Sequence, residues 1–246
     1  MLESLPDLNS PSFEDLLERQ KKQIEDNEKE IASLRQINEN FESLLKEKEL
    51  LIRESRHRVK NNLQVISSLL NIQSEYVKDE EARKLFVNSL NRIRTMSMIY
   101  EAHYQSADAP GIDIEKYLKD IVIYHYRSNN INSSLIKLNI DIAPISMSME
   151  TSITCGLLIN EIISNAFKHA FPEERTGMVH VYLEKNEERN KLIVSDDGIG
   201  FPDKMDFESN DTFGLLLIRT LVDQLNATID VKKTKGIKYI IEFPGN

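Results

Sequence analysis

Residues 160–170 read NEIISNAFKHA, a stretch in which polar and apolar side chains recur at helical spacing. As a helix it places Glu161, Asn165 and Lys168 on one face, because residues three and four positions apart are neighbours there. The opposite face of the same helix carries only apolar side chains, which are Ile159, Ile162, Ile163, Ala166 and Ala170. We therefore expect one face to pack into a core and the other to bind a ligand.

Two further motifs follow this helix, one after a predicted strand and one at the start of a predicted helix. The first reads VSDDGIGFP at residues 194–202 and comes after a predicted strand at 190–196, with Asp196, Gly198 and Gly200 in an Asp-x-Gly-x-Gly pattern. Alone, this pattern would indicate only a turn. The second reads TFGLLLI at residues 212–218 and opens a predicted helix at 214–225. The amide groups at a helix start favour bound anions such as phosphate.

Before these motifs, residues 57–64 read HRVKNNLQ. At 100° per residue, His57 falls almost opposite the apolar stripe of its helix, with Asn61 and Gln64 beside it, so we expect its imidazole to point into water. The stripe consists of Val59, Leu63, Ile66 and Leu70. A lone exposed histidine is usually only a solvated side chain, so the surrounding residues decide what it means.

The HRVKNNLQ run resembles the phosphoacceptor box of sensor histidine kinases of two-component systems, in the subgroup that reads His-Arg-x-x-Asn-Asn-Leu-Gln. NEIISNAFKHA resembles the asparagine box of the ATPase fold shared by histidine kinases, gyrase, Hsp90 and MutL. VSDDGIGFP and TFGLLLI are similar to that fold's two glycine boxes. The resemblance covers about residues 50–246, with the boxes in the family's order, and it implies an ATP-dependent protein histidine kinase.

The resemblance implies a role for each polar residue of the asparagine box. Glu161 and Asn165 would hold Mg²⁺, so that Asn165 helps to bind the nucleotide complex. Lys168 would meet the nucleotide phosphates, whereas His169 is expected only to adjoin them. Hard oxygen ligands combined with phosphate oxygens are what magnesium prefers.

The glycine boxes are expected to hold the rest of the nucleotide. By resemblance, Asp196 accepts a hydrogen bond from the adenine amino group, and Gly198 and Gly200 let the backbone approach the nucleotide. Gly214 is the single glycine of a box in which many relatives have two, so we expect a stiffer lid hinge. The polar stretch 203–211 between the boxes has no packing pattern, and we expect it to be disordered without nucleotide.

Exposure of His57 suits the chemistry that the resemblance implies. Its imidazole must attack the γ-phosphorus of ATP and then be reached by the receiver domain of a response regulator, which takes the phosphoryl group onto an aspartate. Arg58 stands where many relatives of the wider family have an acidic residue, so the base beside His57 stays open. Asn61 is either a helix-surface amide or, by analogy, the group that orients a water for dephosphorylation of the regulator.

The fold expected is α plus α/β, beginning with a long helix, since residues 13–77 contain neither glycine nor proline. We expect a disordered leader at 1–12, a signalling coiled coil at 13–52 and a dimeric four-helix bundle at 53–105, in which two helical hairpins meet. A linker at 106–112 leads to an α/β-sandwich ATP-binding domain at 113–246. The coiled-coil row contains Leu17, Ile24, Ile31, Asn38, Leu45 and Ile52, at heptad spacing.

Composition narrows the possible partners and compartment. The net charge of −9 argues against general nucleic-acid binding, and the single cysteine, Cys155, excludes an intrachain disulfide and suits the cytoplasm. The longest apolar runs are too short to span a bilayer, so we expect no membrane segment. The predicted partners are a second copy of the chain, a response regulator, and an upstream sensor that is either part of a longer polypeptide or a separate protein.

Two other functions compete with the autokinase. One is a clamp-type ATPase of the same fold, which would open and close without phosphorylating itself. The other is a nucleotide-binding signalling scaffold without kinase turnover. The complete box around His57 argues against the clamp, and Glu161, Asn165, Lys168 and Asp196 argue against the scaffold, although the single-glycine lid leaves the scaffold possible.

Overall fold

A computed structural model describes residues 13–105, 112–128, 131–186, 188–202, 207, 212–233 and 235–245. The chain divides into two compact units, residues 1–57 and residues 58–246. The predicted leader at 1–12 lies outside the described residues. So does the predicted linker at 106–112, except for Ile112, which begins a short strand.

The first helix, α1, spans Phe13–Tyr76 without a break, as the absence of glycine and proline predicts. Within residues 15–55 every side chain is exposed, including the apolar heptad row. That row is between 39% and 57% exposed at Leu17, Ile24, Ile31, Leu45 and Ile52. A single chain has nothing to cover this row, and the coiled-coil dimer stays a prediction.

The second helix, α2, spans Glu80–Gln105, where apolar residues at helical spacing predict a helix over 80–104. Its start is capped by Asp79, whose side chain accepts a hydrogen bond of 3.0 Å from the amide of Glu81. Within the second unit, Lys60 of α1 forms an ion pair of 3.2 Å with Glu101 of α2. In the described part of the chain, no helix is long and apolar enough to cross a membrane.

The C-terminal part of the second unit is a mixed α/β domain. Its helices are α3 (Ile114–Ser128), α4 (Met149–Asn165), a π-helical turn (Ala166–Ala170) and α5 (Phe213–Gln224). Its strands are β1 (Ile112–Asp113), β2 (Ile136–Ile142), β3 (Ser146–Met147), β4 (Gly177–Lys185), β5 (Arg189–Asp196), β6 (Thr228–Lys233) and β7 (Ile237–Pro244). The main sheet has the order β2-β4-β5-β7-β6, and β1 pairs separately with β3.

The sheet is antiparallel except for the parallel pair β2 and β4. Alternate residues of β4, β5 and β7 are buried, so one face of the sheet supports a core. The helices α3, α4 and α5 cover that face, and their buried side chains join the same apolar cluster. The predicted α/β sandwich is therefore confirmed. The end of α4 and the end of β5 both border a cavity, which is described below.

Predicted element bounds differ from the structure at two places that bear on the site. For the helix that contains the asparagine box, the sequence predicts bounds of 151–170. In the structure it begins earlier, at Met149, because the Ser148 side chain caps it by accepting from the Thr151 amide at 3.1 Å. Its last turn, from Ala166, is π-helical. The disorder expected at 203–211 falls outside the described residues, except at Phe207. Phe207 is buried and packs edge-on against Tyr239.

Candidate nucleotide site

The asparagine-box residues lie where α4 passes into the π-helical turn. Glu161 and Asn165 belong to α4, and Lys168 belongs to the turn. The apolar face of α4 is buried, including Ile159, Ile162 and Ile163, as the sequence predicts. Single π-turns inside helices occur often at functional sites.

A cavity of about 1170 Å³ opens beside this helix end. It brings together most of the residues that the sequence singled out from separate motifs, and α2 forms one of its walls. The residues that line it and enter the argument are Asn88, Arg92, Glu161, Asn165, Lys168, Asp196, Gly200, Phe213, Gly214 and Tyr239.

The Glu161 carboxylate is held by three donated hydrogen bonds and is only 5% exposed. Arg92 of α2 donates to both carboxylate oxygens, each at 2.8 Å, and the Asn160 amide donates to Oε1 at 2.7 Å. Asn160 is itself buried and accepts from the Thr95 hydroxyl at 3.2 Å. The Glu161 side chain is thus fixed in orientation by its neighbours, and both of its oxygens point at Arg92.

Lys168 reaches across the cavity to α2, where its ammonium group donates to Asn88 Oδ1 at 2.7 Å. Partial burial lowers the pKa of Lys168, Arg92 and Lys84 lower it further, and the negative charge of Glu161 opposes them. Burial also lowers the pKa of the neighbouring His169, with Lys168 acting in the same direction. The site therefore concentrates cationic groups around one buried carboxylate.

Asn165 lies between Glu161 and the start of α5. A Cβ built on Gly214 would stand 3.7 Å from Asn165 Nδ2 and 3.8 Å from Glu161 Oε2, so all three residues meet at one place. The helix α5 begins there, capped by the Thr212 side chain, which accepts from the Leu215 amide. An anion near Gly214 would therefore meet the start of a helix.

These residues fit a magnesium ion that is bound together with phosphate. Glu161 and Asn165 offer two hard oxygen donors one helical turn apart. Among the residues that the structure describes, no group of three or more His, Cys, Asp or Glu side chains is placed to hold a metal. Two protein ligands suit Mg²⁺ best when phosphate oxygens and water complete its shell.

Asp196 closes the other end of the cavity and is 8% exposed. Its carboxylate accepts from the Gly198 amide at 2.9 Å and also from the Ile237 amide. Burial raises the pKa of Asp196, and these two amides partly offset that rise. Burial also raises the pKa of Tyr239, and the charge of Asp196 adds to it. A buried carboxylate with a fixed orientation is suited to accept a hydrogen bond from the amino group of a planar base, since a buried charged group needs a polar partner.

The structure shows a packing reason for Gly198 and a conformational reason for Gly200, both apart from any contact with a nucleotide. A Cβ on Gly198 would collide with the carbonyl of Ala170, so packing against the π-helical turn requires glycine at this position. Gly200 has a φ of 74°, in the left-handed region that favours glycine. Its Cβ would lie 3.7 Å from the Gly236 carbonyl oxygen, an ordinary contact, and the backbone conformation is therefore what requires glycine there.

His57 and Asn61 are both exposed on α1, as predicted. His57 is the last residue of the first compact unit, and Asn61 lies in the second unit. The structure thus meets the minimum condition for a phosphoacceptor, which is a histidine that other molecules can reach.

Sequence reasoning missed three residues that the structure places at the site. Arg92 and Asn88 belong to α2, which the sequence assigned wholly to a helical bundle. Their four-residue spacing puts them on one face of that helix, but nothing in the sequence says what this face meets. The sequence marks Gly236 only as part of a turn before the last strand, whereas the structure places it against Asp196.

Two family models match parts of this chain. The family model described as "Histidine kinase" matches residues 54–129. The family model described as "Histidine kinase-, DNA gyrase B-, and HSP90-like ATPase" matches residues 151–246. The two matched segments contain every site residue that the sequence singled out.

Individual relatives point to the same family. Sensor histidine kinase PdtaS of Mycobacterium tuberculosis is 27% identical over 203 residues, which cover 80% of this chain and 40% of the relative. Blue-light-activated histidine kinase 2 of Erythrobacter litoralis is 28% identical over 186 residues, covering 73% of this chain and 52% of the relative. The chain therefore spans about half or less of the length of these relatives.

A solved structure supports the fold as well. The histidine kinase domain of the Erythrobacter litoralis EL346 blue-light activated histidine kinase superposes with a TM-score of 0.60 and 26% sequence identity. The similarity covers 78% of this chain and 89% of that domain. With the two family matches, it shows that the chain belongs to the sensor histidine kinases, with an ATPase domain of the kind shared with DNA gyrase B and Hsp90.

Proposed function

We propose that this chain is an ATP-dependent autokinase that transfers the γ-phosphoryl group of ATP to His57. One observation carries the proposal, namely that Glu161, Asn165, Lys168 and Asp196 line a single cavity. An exposed histidine in a complete phosphoacceptor box belongs to the same chain. The family membership supports the same reaction.

In the proposed reaction, an imidazole nitrogen of His57 attacks the γ-phosphorus. A nitrogen–phosphorus bond forms, the bond from the γ-phosphorus to the bridging oxygen breaks, and ADP leaves with that oxygen. The attacking nitrogen uses its lone pair, and a proton on the other ring nitrogen is released to solvent or to a base. Such a transfer depends mainly on positioning and charge stabilisation rather than on covalent chemistry by other groups.

In this proposal, each cavity residue contacts a different part of the nucleotide or its metal ion. Asp196 accepts from the adenine amino group, and Lys168 contacts the phosphates. Glu161 and Asn165 would hold Mg²⁺, which supplies positive charge that neutralises the phosphate oxygens during transfer. The start of α5 at Gly214 adds the positive end of a helix dipole near the same phosphates.

We further propose that the phosphoryl group passes from His57 to an aspartate on the receiver domain of a response regulator. Exposure of His57 allows a second protein to reach it. Asn61 lies one helical turn away and is exposed on the same helix, where it would orient a water that hydrolyses the phospho-aspartate.

The proposed active form is a homodimer. The apolar heptad row of α1 is exposed in the single chain, and a second apolar set near the phosphoacceptor box is exposed as well. Such rows are covered in a parallel two-stranded coiled coil and in a four-helix bundle. The second set contains Val65, Ile66, Leu69, Ile72 and Leu85, which are 45–61% exposed. An upstream sensor would act through the coiled coil.

Incubation with γ-labelled ATP and Mg²⁺ tests the autokinase. We expect the wild-type chain to take up label that is stable to alkali and lost in acid, as a phosphohistidine is, and His57→Gln to take up none. The matched control is His103→Gln, which changes a histidine outside the box. Equal labelling of the His57→Gln chain would contradict the proposal. ATP binding by the wild type without labelling would favour the signalling scaffold.

A further inference from the structure

Helix α2 contributes a polar face to the nucleotide cavity. Lys84, Asn88 and Arg92 recur every four residues along it and all line the cavity. Two of them make direct contacts with asparagine-box residues, Arg92 with Glu161 and Asn88 with Lys168. A helix of the phosphoacceptor region thus contacts the groups that are proposed to bind metal and phosphate.

Arg92 engages both carboxylate oxygens of Glu161, the proposed metal ligand. Arg92 donates through Nε and Nη2 to the two different oxygens of Glu161. The side chains are 17% and 7% exposed, so the pair is largely removed from water. Bidentate, charge-assisted contacts of this kind are among the stronger polar interactions in proteins.

A divalent cation at Glu161 would compete with this pair. The cation needs a carboxylate oxygen that Arg92 now uses, and the guanidinium carries charge of the same sign as the ion. Asn160 approaches Glu161 from the protein interior and donates to Oε1 at 2.7 Å, so Glu161 keeps one fixed partner when Arg92 leaves. Metal binding and the Arg92 contact are therefore alternatives at the same carboxylate.

Two further contacts tie the same helix to the phosphate side of the cavity. The ammonium group of Lys168 donates to Asn88 at 2.7 Å, although the proposed function assigns it to phosphate. The Arg92 guanidinium also lies 4.8 Å from the ring centre of Phe213, the first residue of α5. Arg92 and Asn88 thus connect α2 to α4, to the π-helical turn and to the start of α5, which are the three segments that would surround the phosphates.

We propose that Arg92 and Asn88 form an intramolecular latch that competes with the Mg²⁺–nucleotide complex for Glu161 and Lys168. In this arrangement α2 holds the ATPase domain in a form with low affinity for Mg²⁺–nucleotide. Binding of the complex displaces Arg92 and Asn88 and thereby releases α2 from the asparagine box. The inference rests on the proposed nucleotide site but does not need phosphoryl transfer to occur.

Equilibrium binding of a fluorescent ADP analogue, with Mg²⁺ titrated at fixed analogue, tests the latch. We expect Arg92→Ala to tighten binding of the Mg²⁺ complex by about tenfold, which corresponds to roughly 1.4 kcal/mol. Arg92→Lys, which keeps the charge but loses the two-pronged contact, should give an intermediate value. Arg94→Ala is the matched control, because it removes an exposed arginine from the same helix. It should leave the affinity unchanged.

Asn88→Ala provides an independent variant, because it frees Lys168 without altering the charge of the site. We expect it to tighten binding by about twofold to threefold, since a single hydrogen bond is lost. As a second readout, the rise in Tm on adding Mg²⁺ and ADP should be larger for Arg92→Ala than for the wild type. Circular dichroism checks that each variant is folded.

The direction in which the affinity for Mg²⁺–ADP changes decides whether Arg92 and Asn88 act as a latch. Weaker binding of Mg²⁺–ADP by folded Arg92→Ala would overturn the latch, because it would mean that Arg92 binds phosphate. Unchanged binding in both Arg92→Ala and Asn88→Ala would overturn it too. Because no phosphoryl transfer is measured, failure of the autokinase would show as absent labelling with the binding results intact.

Discussion

The Asp196 carboxylate lies so close to the backbone of Gly236 that no side chain fits between them. A Cβ on Gly236 would collide with the main-chain oxygen and with a carboxylate oxygen of Asp196. The next residue, Ile237, also donates its amide to that carboxylate. The turn before β7 therefore fixes the position of the residue that is proposed to recognise adenine.

We expect Gly236→Ala to weaken nucleotide binding by about tenfold or more, because Asp196 must move away from the new methyl group. Titration with a fluorescent ADP analogue measures the effect. Gly245→Ala is the control, since a Cβ there would meet its neighbours at 3.4–3.8 Å, which is close to ordinary contact. If Gly236→Ala bound nucleotide as the wild type does, the placement of adenine against Asp196 would be wrong.

A second glycine, Gly156, supports the core of the domain. It belongs to α4, and a Cβ there would collide with the Tyr117 ring and with Ile121 of α3. Alanine favours a helix over glycine by about 1 kcal/mol, yet overpacking a core costs about 1–3 kcal/mol. We therefore expect Gly156→Ala to lower the free energy of unfolding, measured with urea. A gain in stability would show that α3 and α4 have room to separate.

Stability should also depend on pH through His125. This residue of α3 is fully buried, and burial lowers its pKa below the ordinary value of about 6.5. The unfolded chain then binds a proton more readily than the folded chain does. Above about pH 6.5, His125 should therefore cost no stability. As the pH drops below that value, the free energy of unfolding should fall, by at most about 1.4 kcal/mol per pH unit.

Urea unfolding of the wild type and of His125→Gln at pH 7.5 and pH 5.5 measures this contribution. The variant should lose less stability between the two pH values than the wild type does, whatever its stability at pH 7.5. His180→Gln is a suitable control, because His180 lies on β4 and is only half-buried. Equal losses in wild type and His125→Gln would mean that His125 does not contribute.

Asn61→Ala separates the two activities proposed for the phosphoacceptor helix. We expect autophosphorylation of His57 to continue, because the amide is not needed for attack on ATP. Dephosphorylation of a phosphorylated regulator should slow by about a hundredfold, which is the lower end of what a positioned side chain contributes to proton transfer from a reacting water. Asn62→Ala, at the adjoining exposed position, is the control. Unchanged dephosphorylation would leave Asn61 as a surface amide.

The fold was predictable because its signals are local. Apolar residues alternate at Val179, Val181 and Leu183, which predicts a strand, and the long stretch without glycine or proline predicts a helix. The structure confirms both elements. The short strands β1 and β3 were missed, because two residues carry no periodicity. The burial of Phe207 was missed for a related reason, since one apolar residue among polar ones does not show where it packs.

The site was predictable only where its residues share a motif. Glu161, Asn165 and Lys168 lie within two helical turns, so their common face follows from helix geometry alone. Arg92 is 69 residues away from Glu161, and only the packing of α2 against α4 brings the two together. The sequence places Gly198 in a glycine box, but its collision with Ala170 depends on a tertiary contact that sequence spacing does not contain.

The most direct test of the central claim is to locate the phosphoryl group on the chain. The wild type and Asn165→Ala are incubated with ATP and Mg²⁺, digested at neutral to alkaline pH, and mapped by tandem mass spectrometry. We predict a phosphorylated peptide that contains His57 in the wild type and none in Asn165→Ala, which lacks a proposed metal ligand. A phosphoryl group on another residue of the wild type, or on His57 in Asn165→Ala, would contradict the account.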